Sequence, residues 1–279
     1  MSRVWFITGA TRGLGRAFTQ AALDAGDRVV GAARSIELLD DLAAAHPGRL
    51  VTVRVDVTDR AAVFAAVEQA VAAFGRLDVV VNNAGSIAAG AVEEFTEAEA
   101  RAHMDVNFFG PLWVSQAVLP QLRAQGSGHL VQISSIGGIA AQASCGMYNA
   151  GKWALEGMSE ALAMEAARFG VRTTIVEPGG YWTDLWNNMT TAAPMEAYEP
   201  MRAELAKLYA EGSVDSEPRL AAEALLKLVN SEEPPLRLIL GSAVFDGALE
   251  ACRDRIATWR SWEGVSRAAE CAVVQPSTP

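Results

Sequence analysis

The chain has 279 residues, 51% of them hydrophobic, and carries a formal net charge of -10 at neutral pH. This size and composition allow a substantial buried core and predict one large α/β domain. The acidic balance argues against a nucleic acid or an anionic membrane as a partner. No apolar run approaches the roughly 20 residues of a membrane span, and the first predicted strand begins at Val4, which leaves no room for a signal peptide. We therefore expect a soluble, cytoplasmic protein.

Strand-like and helix-like segments alternate along the chain, which is typical of a parallel sheet covered by helices on both faces. The sequence therefore predicts an α/β fold, a doubly wound parallel β-sheet of about seven strands in a single domain. Three helical stretches end at Gly26, Gly75 and Gly170, the usual C-terminal stop. The predicted strands are Val4–Thr8, Arg28–Ala33, Leu50–Asp56, Leu77–Asn82, His129–Ser134, Arg172–Glu177 and Leu236–Leu240, and the longest predicted helices are Ala61–Phe74, Glu97–Leu122 and Tyr148–Phe169.

The first strand runs into a turn with glycines at positions 9, 13 and 15, and helical composition follows from Arg16 to Ala25. In a strand, glycine-rich turn and helix of this kind, free N–H groups at the helix start can bind a pyrophosphate. The spacing is Gly-x-x-x-Gly-x-Gly and not the Gly-x-Gly-x-x-Gly of the general fingerprint. The turn predicts a dinucleotide site, with a glycine-rich turn of no function as the alternative.

The end of the second strand predicts which dinucleotide binds. A site for NAD tends to carry an acidic residue there, about 20 positions past the glycine turn, to bind the ribose hydroxyls. This chain has Arg34 and Ser35 instead and no carboxylate. A guanidinium attracts a 2′-phosphate and can bind it bidentately. Arg34, with Ser35 and Arg12 of the glycine turn, therefore predicts NADP(H) over NAD(H), unless Arg34 is only a solvated loop charge.

The cysteines and histidines show no ligand spacing. There is no CxxC pattern, so we expect free thiols in a reducing compartment and no metal site. We expect the isolated histidines to lie in loops or at the surface. The residues are Cys145, Cys252 and Cys271, and His46, His103 and His129.

Tyr148 and Lys152 are four residues apart in a predicted helix, so they share one face. A phenol has a pKa of about 10 and is a weak acid-base group at neutral pH. Bringing that pKa to about 7 requires roughly 4 kcal/mol, which a nearby ammonium in a partly desolvated site can supply. The pair predicts a tyrosine acid-base group whose pKa is lowered by Lys152, with a surface lysine near a half-buried tyrosine as the alternative.

Taken together, these motifs resemble the short-chain dehydrogenase/reductase family. The resemblance runs in order from Val4 to about Thr183 and implies a Rossmann-like fold. Thr8–Gly15 resembles the family's cofactor motif, and Asn82–Gly85 resembles the segment after its fourth strand. Pro178–Gly179, followed by Thr183, resembles the stretch that closes over the nicotinamide.

The resemblance implies a catalytic tetrad. Tyr148 would be the acid in reduction and the base in oxidation, and Lys152 would also hold the nicotinamide ribose. Ser135 would donate a hydrogen bond to the substrate carbonyl oxygen, with Ser134 as its competitor for this role. Asn107 would anchor a water that links Lys152 to solvent, or would only brace the strand above it. The implied catalytic residues are Asn107, Ser135, Tyr148 and Lys152.

The implied cofactor site is larger. In the family both arginine positions, 12 and 34, are associated with the phosphorylated cofactor, and Asp56 is similar to the adenine contact. The cofactor residues are Gly9, Thr11, Arg12, Gly13, Leu14, Gly15, Arg34, Ser35, Asp56, Val57, Asn83, Ala84, Gly85, Tyr148, Lys152, Pro178, Gly179 and Thr183.

The substrate is predicted only by class. After Pro178 the chain is rich in tryptophan, methionine and tyrosine, and in the family this region forms a lid. Such side chains suit a bulky apolar ketone or its alcohol, for example a steroid-, retinoid- or polyketide-like compound. Alternatively they only pack the lid or a subunit contact. The candidate substrate residues are Ile136, Cys145, Met147, Trp182, Trp186 and Met189, and Ala143 would add to the same wall.

The resemblance also bears on assembly and boundaries. Family members usually pair through the helix that carries the tyrosine and the long helix before it, so we expect a homodimer or homotetramer. Residues 184–215 would form the lid insertion, and 241–279 a C-terminal extension within the single domain 1–279. In that extension Ala243–Trp262 has helical composition, and Ala272–Pro279 resembles a frayed tail.

Two other functions stay open. One is a dinucleotide-binding redox sensor or scaffold without turnover, although such proteins commonly lose the tyrosine or the lysine. The other is an epimerase or dehydratase on the same fold, which an extra carboxylate or histidine near Tyr148 would favour. No such residue is evident in the sequence. The favoured function is hydride transfer between the nicotinamide and a ketone or secondary alcohol.

Overall fold

The computed structural model describes residues 2–183, 189–210 and 215–270. The strands are β1 (Val4–Thr8), β2 (Arg28–Ala33), β3 (Leu50–Arg54), β4 (Val79–Asn82), β5 (Ala88–Ala89), β6 (Gly128–Ile133), β7 (Val171–Pro178), β8 (Thr190–Thr191) and β9 (Arg237–Leu240). Seven of them form one parallel sheet in the order β3-β2-β1-β4-β6-β7-β9, and β5 pairs with β8 separately. The doubly wound, Rossmann-like fold predicted from the sequence is confirmed.

Helices cover both faces of the sheet, and two apolar clusters fill the spaces between helices and strands. Every residue of β1 is buried, as expected for a central strand that is covered on both faces. The helices are α1 (Gly13–Asp24), α2 (Asp40–Ala45), α3 (Arg60–Phe74), α4 (Glu97–Met104), α5 (Gly110–Gln125), α6 (Gly146–Ala167), α7 (Glu199–Ala210), α8 (Pro218–Asn230), α9 (Ser242–Ser261) and α10 (Glu263–Ala268).

Most element boundaries lie within two residues of the prediction, and the predicted long helix Glu97–Leu122 is helical throughout, although the sequence did not predict the π-helical turn inside it. The π-helical turn at Asp105–Phe109 divides this helix into α4 and α5 without interrupting it. Pro111 is the local reason, because it lacks the N–H that an α-helix would donate to the carbonyl of Asn107. Gly110 also packs closely, since a Cβ there would lie 2.9 Å from a methyl of Val57.

The strand order places a crevice at one edge of the sheet. β1 lies between β2 and β4: β2 and β3 are added on one side of it, and β4 and the later strands on the other, so the strand order reverses at that point. Ligands of such folds bind beyond the carboxyl ends of the strands at this switch point. The segments that follow β1, β4, β6 and β7 all begin at this edge, and they carry the glycine turn and the candidate catalytic residues.

Two further segments lie around the crevice. β8 pairs with β5, and α7 follows it within the predicted lid. The C-terminal extension contains α9, as the sequence predicted, and α10. Trp186, Cys271 and the predicted tail Ala272–Pro279 lie outside the described residues. Across the described ranges, no helix is both long and apolar enough to cross a bilayer.

Candidate active site

The glycine turn after β1 depends on its three glycines. Gly9 and Gly13 have φ angles of +64° and +52°, the left-handed region that glycine adopts without a steric penalty. At Gly15 a Cβ would lie 2.2 Å from the carbonyl oxygen of Gly9. The turn therefore excludes side chains where the backbone folds tightly onto itself. Thr183 lies against this turn, since a Cβ on Gly13 would lie 3.1 Å from the Cβ of Thr183.

The start of α1 fits the pyrophosphate of a dinucleotide. Arg12 occupies the N-cap in extended conformation, and no side chain caps the helix. The first turn contains no acidic residue. A helix N-terminus leaves backbone N–H groups without intrahelical partners and carries a partial positive charge. An anionic pyrophosphate would satisfy both, so these residues fit the group that the sequence predicts.

Asn83 joins the end of β4 to the glycine turn. Its side-chain amide donates to the carbonyl oxygen of Thr8 at 2.9 Å, and its backbone N–H donates to the hydroxyl of Thr8 at 3.0 Å. The N–H of Ala84 donates to the same hydroxyl at 3.1 Å. These bonds hold Gly85 close to the catalytic residues. A Cβ on Gly85 would lie 3.2 Å from the side-chain oxygen of Asn107 and 3.6 Å from the Lys152 ammonium.

Asn107 is 1% exposed and lies in the π-helical turn between α4 and α5. Its amide nitrogen donates to the Ser86 hydroxyl at 3.1 Å and to the carbonyl of His103 at 3.2 Å. Its amide oxygen accepts from the Ser86 N–H at 3.3 Å. Such π-turns are frequent at functional sites. Here the turn directs the amide toward the crevice, and Ser86 sets its orientation.

Lys152 reaches across to the end of β6. Its ammonium donates to the carbonyl oxygen of Ile133 at 2.9 Å. Burial lowers the pKa of Lys152 to about 8, and the nearby Glu156 acts in the opposite direction. The ammonium lies 5.8 Å from the ring centroid of Tyr148. Helical spacing therefore does place the two residues together.

The sequence predicted that the pKa of Tyr148 is lowered. For the protein without a bound cofactor, this direction is wrong. Burial raises the pKa of Tyr148 to about 12, and a hydrogen bond with Ser135 opposes this only in part. Desolvation disfavours the charged phenolate more than the Ser135 hydrogen bond stabilises it, and the nearby Cys145 also raises the pKa. At neutral pH the phenol therefore keeps its proton.

Ser134 and Ser135 point to different partners. The Ser134 hydroxyl donates to the buried carboxylate of Glu156 at 2.6 Å. The Ser135 hydroxyl is paired with Tyr148 and accepts from the N–H of Gly137 at 3.2 Å. This arrangement favours Ser135 as the residue that can reach a substrate oxygen.

A cluster of charges lies behind these serines. Arg237 on β9 donates to the carboxylates of Glu156, Glu177 and Glu160, in the last two cases at 2.5 and 2.8 Å. Glu177 precedes Pro178 and is fully buried, and its second oxygen has no hydrogen-bond partner in the described residues. Burial raises the pKa of Glu177 to about 7. The cluster ties the ends of β6 and β7 to α6.

Beyond the glycine turn, the predicted adenosine contacts lie around the end of β2. Arg12, Arg34 and Ser35 are exposed, and in the described part of the chain neither guanidinium forms an ion pair. Asp56 follows β3, where its carboxylate accepts from the N–H of Thr58 at 3.0 Å. The remaining neighbours are Thr11 and Val57, which are buried, and Leu14, which packs against the core.

The substrate candidates are only partly brought together. Ile136, Met147 and Met189 are half-buried. Cys145 is half-buried too and forms an isolated β-bridge with Gly90. Trp182 is 73% exposed, and its N–H donates to the carbonyl of Ser216 at 3.0 Å. The other members of this part of the site are Pro178, which ends β7, and Gly179, whose N–H donates to the carbonyl of Leu240 at 3.0 Å.

A family model described as short chain dehydrogenase matches residues 3–194. The chain belongs to the short-chain dehydrogenase family. It is 40% identical to "oxidoreductase BOA17" of Botryotinia fuckeliana over 96% of this chain and 100% of that protein. It is 35% identical to a 3-ketodihydrosphingosine reductase of Bacteroides thetaiotaomicron over 87% of this chain and 89% of that protein. The chain is thus an oxidoreductase of this family.

Solved structures agree with that assignment. A short-chain dehydrogenase from Streptomyces avermitilis superposes with a TM-score of 0.91 at 40% identity, covering 96% of this chain and 98% of that one. A metagenomic short-chain oxidoreductase in complex with NADP gives a TM-score of 0.70 at 27% identity, covering 86% and 97%. A Burkholderia phymatum family member in complex with NAD gives 0.79 at 22% identity, covering 98% of each chain. The family's structures thus support a nicotinamide cofactor.

Two histidines of this short-chain dehydrogenase contradict the surface positions predicted for them. His103 and His129 are buried, and burial lowers the pKa of each to about 4. The His103 ring lies 6.2 Å from that of Tyr148, edge to face, and a ring nitrogen lies 3.2 Å from the Asn107 amide. His103 precedes Asn107 by four residues, so helical spacing was an available signal for this neighbour.

The charge cluster was also missed, because nothing local connects Glu156 to Arg237. Glu156 follows Lys152 by four residues and so was detectable as a neighbour, but its partner lies on β9. Among the residues that the structure describes, no group of three histidine, cysteine or acidic side chains could hold a metal ion.

Proposed function

We propose that this short-chain dehydrogenase is an NADP(H)-dependent oxidoreductase that transfers a hydride between the nicotinamide and a bulky apolar ketone or secondary alcohol. One observation carries the proposal. Ser135, Tyr148, Lys152 and Asn107 meet at the edge of the sheet where the glycine turn also lies. An acid-base group, a hydrogen-bond partner and a dinucleotide cradle thus share one crevice.

The bound nicotinamide would supply or accept the hydride at its ring. The N-terminus of α1 and the glycine turn would hold the pyrophosphate. Thr183, which lies against Gly13, and the Pro178–Gly179 segment would enclose the nicotinamide side. Lys152, fixed on the Ile133 carbonyl, would hold the ribose beside Tyr148.

Tyr148 would transfer the proton to or from the substrate oxygen. Since its pKa is raised to about 12, the phenol is protonated at neutral pH and ready to donate to a carbonyl oxygen. Ser135, already paired with Tyr148, would donate a second hydrogen bond to the same oxygen as negative charge develops there. In the reverse direction the deprotonated phenol would accept the proton of the alcohol, so the same group serves both directions.

The preference for NADP(H) is supported by the charges near the end of β2. Arg34 and Arg12 are exposed and have no ion-pair partner within the described residues. The nearest carboxylate in the sequence, Glu37, is instead paired with Arg54. The two guanidinium groups are therefore available to a 2′-phosphate, and Arg54 neutralises the negative charge of Glu37.

An apolar ketone is supported by two independent observations. Ile136 follows Ser135 directly, Cys145 and Met147 closely precede Tyr148, and all three of these mostly apolar side chains are half-buried. A relative that is 35% identical is named a 3-ketodihydrosphingosine reductase, and that substrate is a ketone with a long alkyl chain. We propose a ketone of this general class, with one large apolar substituent.

The epimerase or dehydratase alternative has one observation in its favour, namely His103 near Tyr148. However, the imidazole is buried behind Asn107 rather than exposed to the crevice, and its low pKa keeps it neutral. We assign His103 the role of a support for Asn107. The sensor alternative predicts cofactor binding without turnover.

The test is a fluorescence titration of the purified protein with NADPH and NADH, followed by a panel of apolar ketones monitored at the absorbance of the reduced nicotinamide. We expect tighter binding of NADPH and ketone-dependent oxidation that Tyr148→Phe reduces by about 10²–10⁴-fold while cofactor binding is kept. Tight binding without turnover on the whole panel supports the sensor. Turnover that survives Tyr148→Phe contradicts the assigned acid.

For assembly, we propose a homo-oligomer in which α5 and α6 pair, as the family resemblance implies. Exposed large side chains on α6, among them Trp153 and Met164, support an additional contact there. Sedimentation of the purified protein at several concentrations tests this proposal. A monomer at all concentrations contradicts it.

A further inference from the structure

Helix α9 carries an apolar stripe that nothing in the described residues covers. Phe245, Leu249, Ile256 and Trp259 are between 41% and 64% exposed, and the exposed Cys252 lies among them. Their spacing alternates four and three residues, the period of a seam that packs against another helix. The stripe runs along about 21 Å of the helix.

A different face of α9 attaches it to the body of the protein. Val244, Ala248, Ala251 and Arg255 are the residues of α9 that are buried or half-buried. Val244 packs on Gly179, and Arg255 donates to the carbonyl of Ile139 at 2.8 Å. From Ile256 to residue 270 every position is exposed. The apolar stripe therefore lies beside the attached face of α9. It extends to Trp259, beyond Arg255, which is the last residue of the attached face.

A groove continues the stripe onto α10. It is lined by Ile256, Trp259 and Arg260 of α9 and by Glu263, Ser266 and Arg267 around α10. The Ile256 side chain and the Trp259 indole provide two apolar walls, and the remaining residues form a polar rim. Such a groove suits a single large apolar side chain. Phe245, at the other end of the same stripe, is such a side chain.

The charges along the stripe specify a direction of pairing. On the flank away from the body, Asp246 lies near the start of α9, and Arg253 and Arg260 lie toward its end. All three are exposed and form no ion pair with the described residues. In an antiparallel pair of identical helices, the acid of each copy lies beside the arginines of the other. A parallel pair would place like charges together.

We propose that α9 is an interface between two copies of this chain, in which the helices pair antiparallel about a two-fold axis and Phe245 of each copy docks in the groove between Ile256 and Trp259 of the other. An interface of this kind is isologous, so each contact occurs twice. It adds a contact to the oligomer proposed above and does not depend on the proposed activity.

A lipid surface fits the stripe less well. Residues 242–270 contain five acidic and four basic side chains, and the whole chain has a net charge of -10. Helices that bind anionic membranes carry an excess of lysine and arginine on their polar face. The flank of α9 has balanced charges instead, as a self-complementary protein contact requires.

The test measures the mass of the full-length protein by sedimentation equilibrium across a concentration range. We expect Phe245→Ala and Trp259→Glu to raise the dissociation constant of one association step by more than about tenfold. Asp246→Arg should weaken the same step, and Asp246→Arg combined with Arg253→Asp and Arg260→Asp should restore it. The matched control is Asp254→Arg, which makes the same charge change on the opposite side of α9.

Each outcome decides the proposal. If the stripe variants keep the wild-type mass, or if the charge-reversed triple variant is no better than Asp246→Arg alone, the antiparallel pair is wrong. Binding of the wild type, but not Trp259→Glu, to phosphatidylcholine vesicles would instead assign the stripe to lipid. Turnover measured in the same variants separates this proposal from the activity, because a dissociated but active enzyme leaves the proposed reaction standing.

Discussion

Arg202 on α7 donates a hydrogen bond of 2.6 Å to the buried carboxylate of Glu94. Glu94 also accepts from the N–H groups of Ala91 and Met195, each at 2.7 Å. The N–H of Met195 is the main cause that holds the pKa of Glu94 below its ordinary value. This carboxylate therefore fastens the segment after β8, which belongs to the predicted lid, onto the segment after β5.

Removing this fastening should loosen the lid. We expect Glu94→Ala to speed amide hydrogen exchange in residues 189–207 and to raise KM more than it lowers kcat, because substrate binding then has to order the segment. The matched control is Glu199→Ala, which removes the exposed partner of the same arginine. Equal exchange in the two variants would contradict the role of Glu94.

The two adjacent serines should differ in function. Ser135→Ala should lower kcat by about 10²–10³-fold, because it removes a donor to the substrate oxygen. Ser134→Ala, which leaves Tyr148 untouched, should affect stability more than turnover, since it leaves the buried Glu156 with one hydrogen bond fewer. Steady-state kinetics together with thermal unfolding of both variants measures the difference, and the reverse ranking would make Ser134 catalytic.

Arg34 should determine cofactor choice. We expect Arg34→Ala to weaken NADPH binding by about 10–100-fold through loss of charged hydrogen bonds. NADH lacks the 2′-phosphate, so its affinity should change little and serves as the internal control. Fluorescence titration with both cofactors gives the answer. A wild-type preference for NADH would remove the role of Arg34 but would leave the fold and the catalytic residues as described.

Glu156 should set the alkaline limit of activity. Its charge raises the pKa of Lys152 against the lowering effect of burial, which leaves that pKa at about 8. In Glu156→Gln the pKa of Lys152 should fall, so activity should decline at a lower pH than in the wild type. Ser134→Ala keeps the charge of Glu156, so its pH profile should keep the wild-type limit. A profile that does not move in Glu156→Gln contradicts the coupling.

Glu177 should make stability depend on pH in an unusual direction. Its pKa is raised from 4.5 to about 7 by burial, so the folded state binds the proton more tightly than the unfolded state does. Its effect is therefore to lower stability as pH rises from 4.5 to about 7, by at most about 3 kcal/mol.

The measurement for Glu177 is a difference between two proteins. The buried histidines His103 and His129 have lowered pKa values, so they act oppositely and make stability rise with pH up to 6.5. The free energy of unfolding of the wild type and of Glu177→Gln is measured with denaturant at pH 5 and at pH 8. Both proteins contain the two histidines, so the difference between the proteins at each pH removes the contribution of the histidines. The variant should gain stability over the wild type at pH 8 but not at pH 5, whereas exposed Glu204→Gln should show no such difference.

The sequence by itself determined the sheet, the glycine turn and the Tyr148–Lys152 pair, because each depends on local spacing. Buried apolar runs form strands, glycines permit left-handed φ angles, and residues four apart share a helix face. Only the tertiary structure decided that His103 and His129 are buried and that Arg237 joins Glu156 to Glu177 across the ends of β6, β7 and β9. It also reversed the expected pKa shift of Tyr148, since desolvation arises from all the chain packed around a group and not from its neighbour four residues away. Sequence spacing brings charged groups close together, but the tertiary structure determines how far each of them is removed from water.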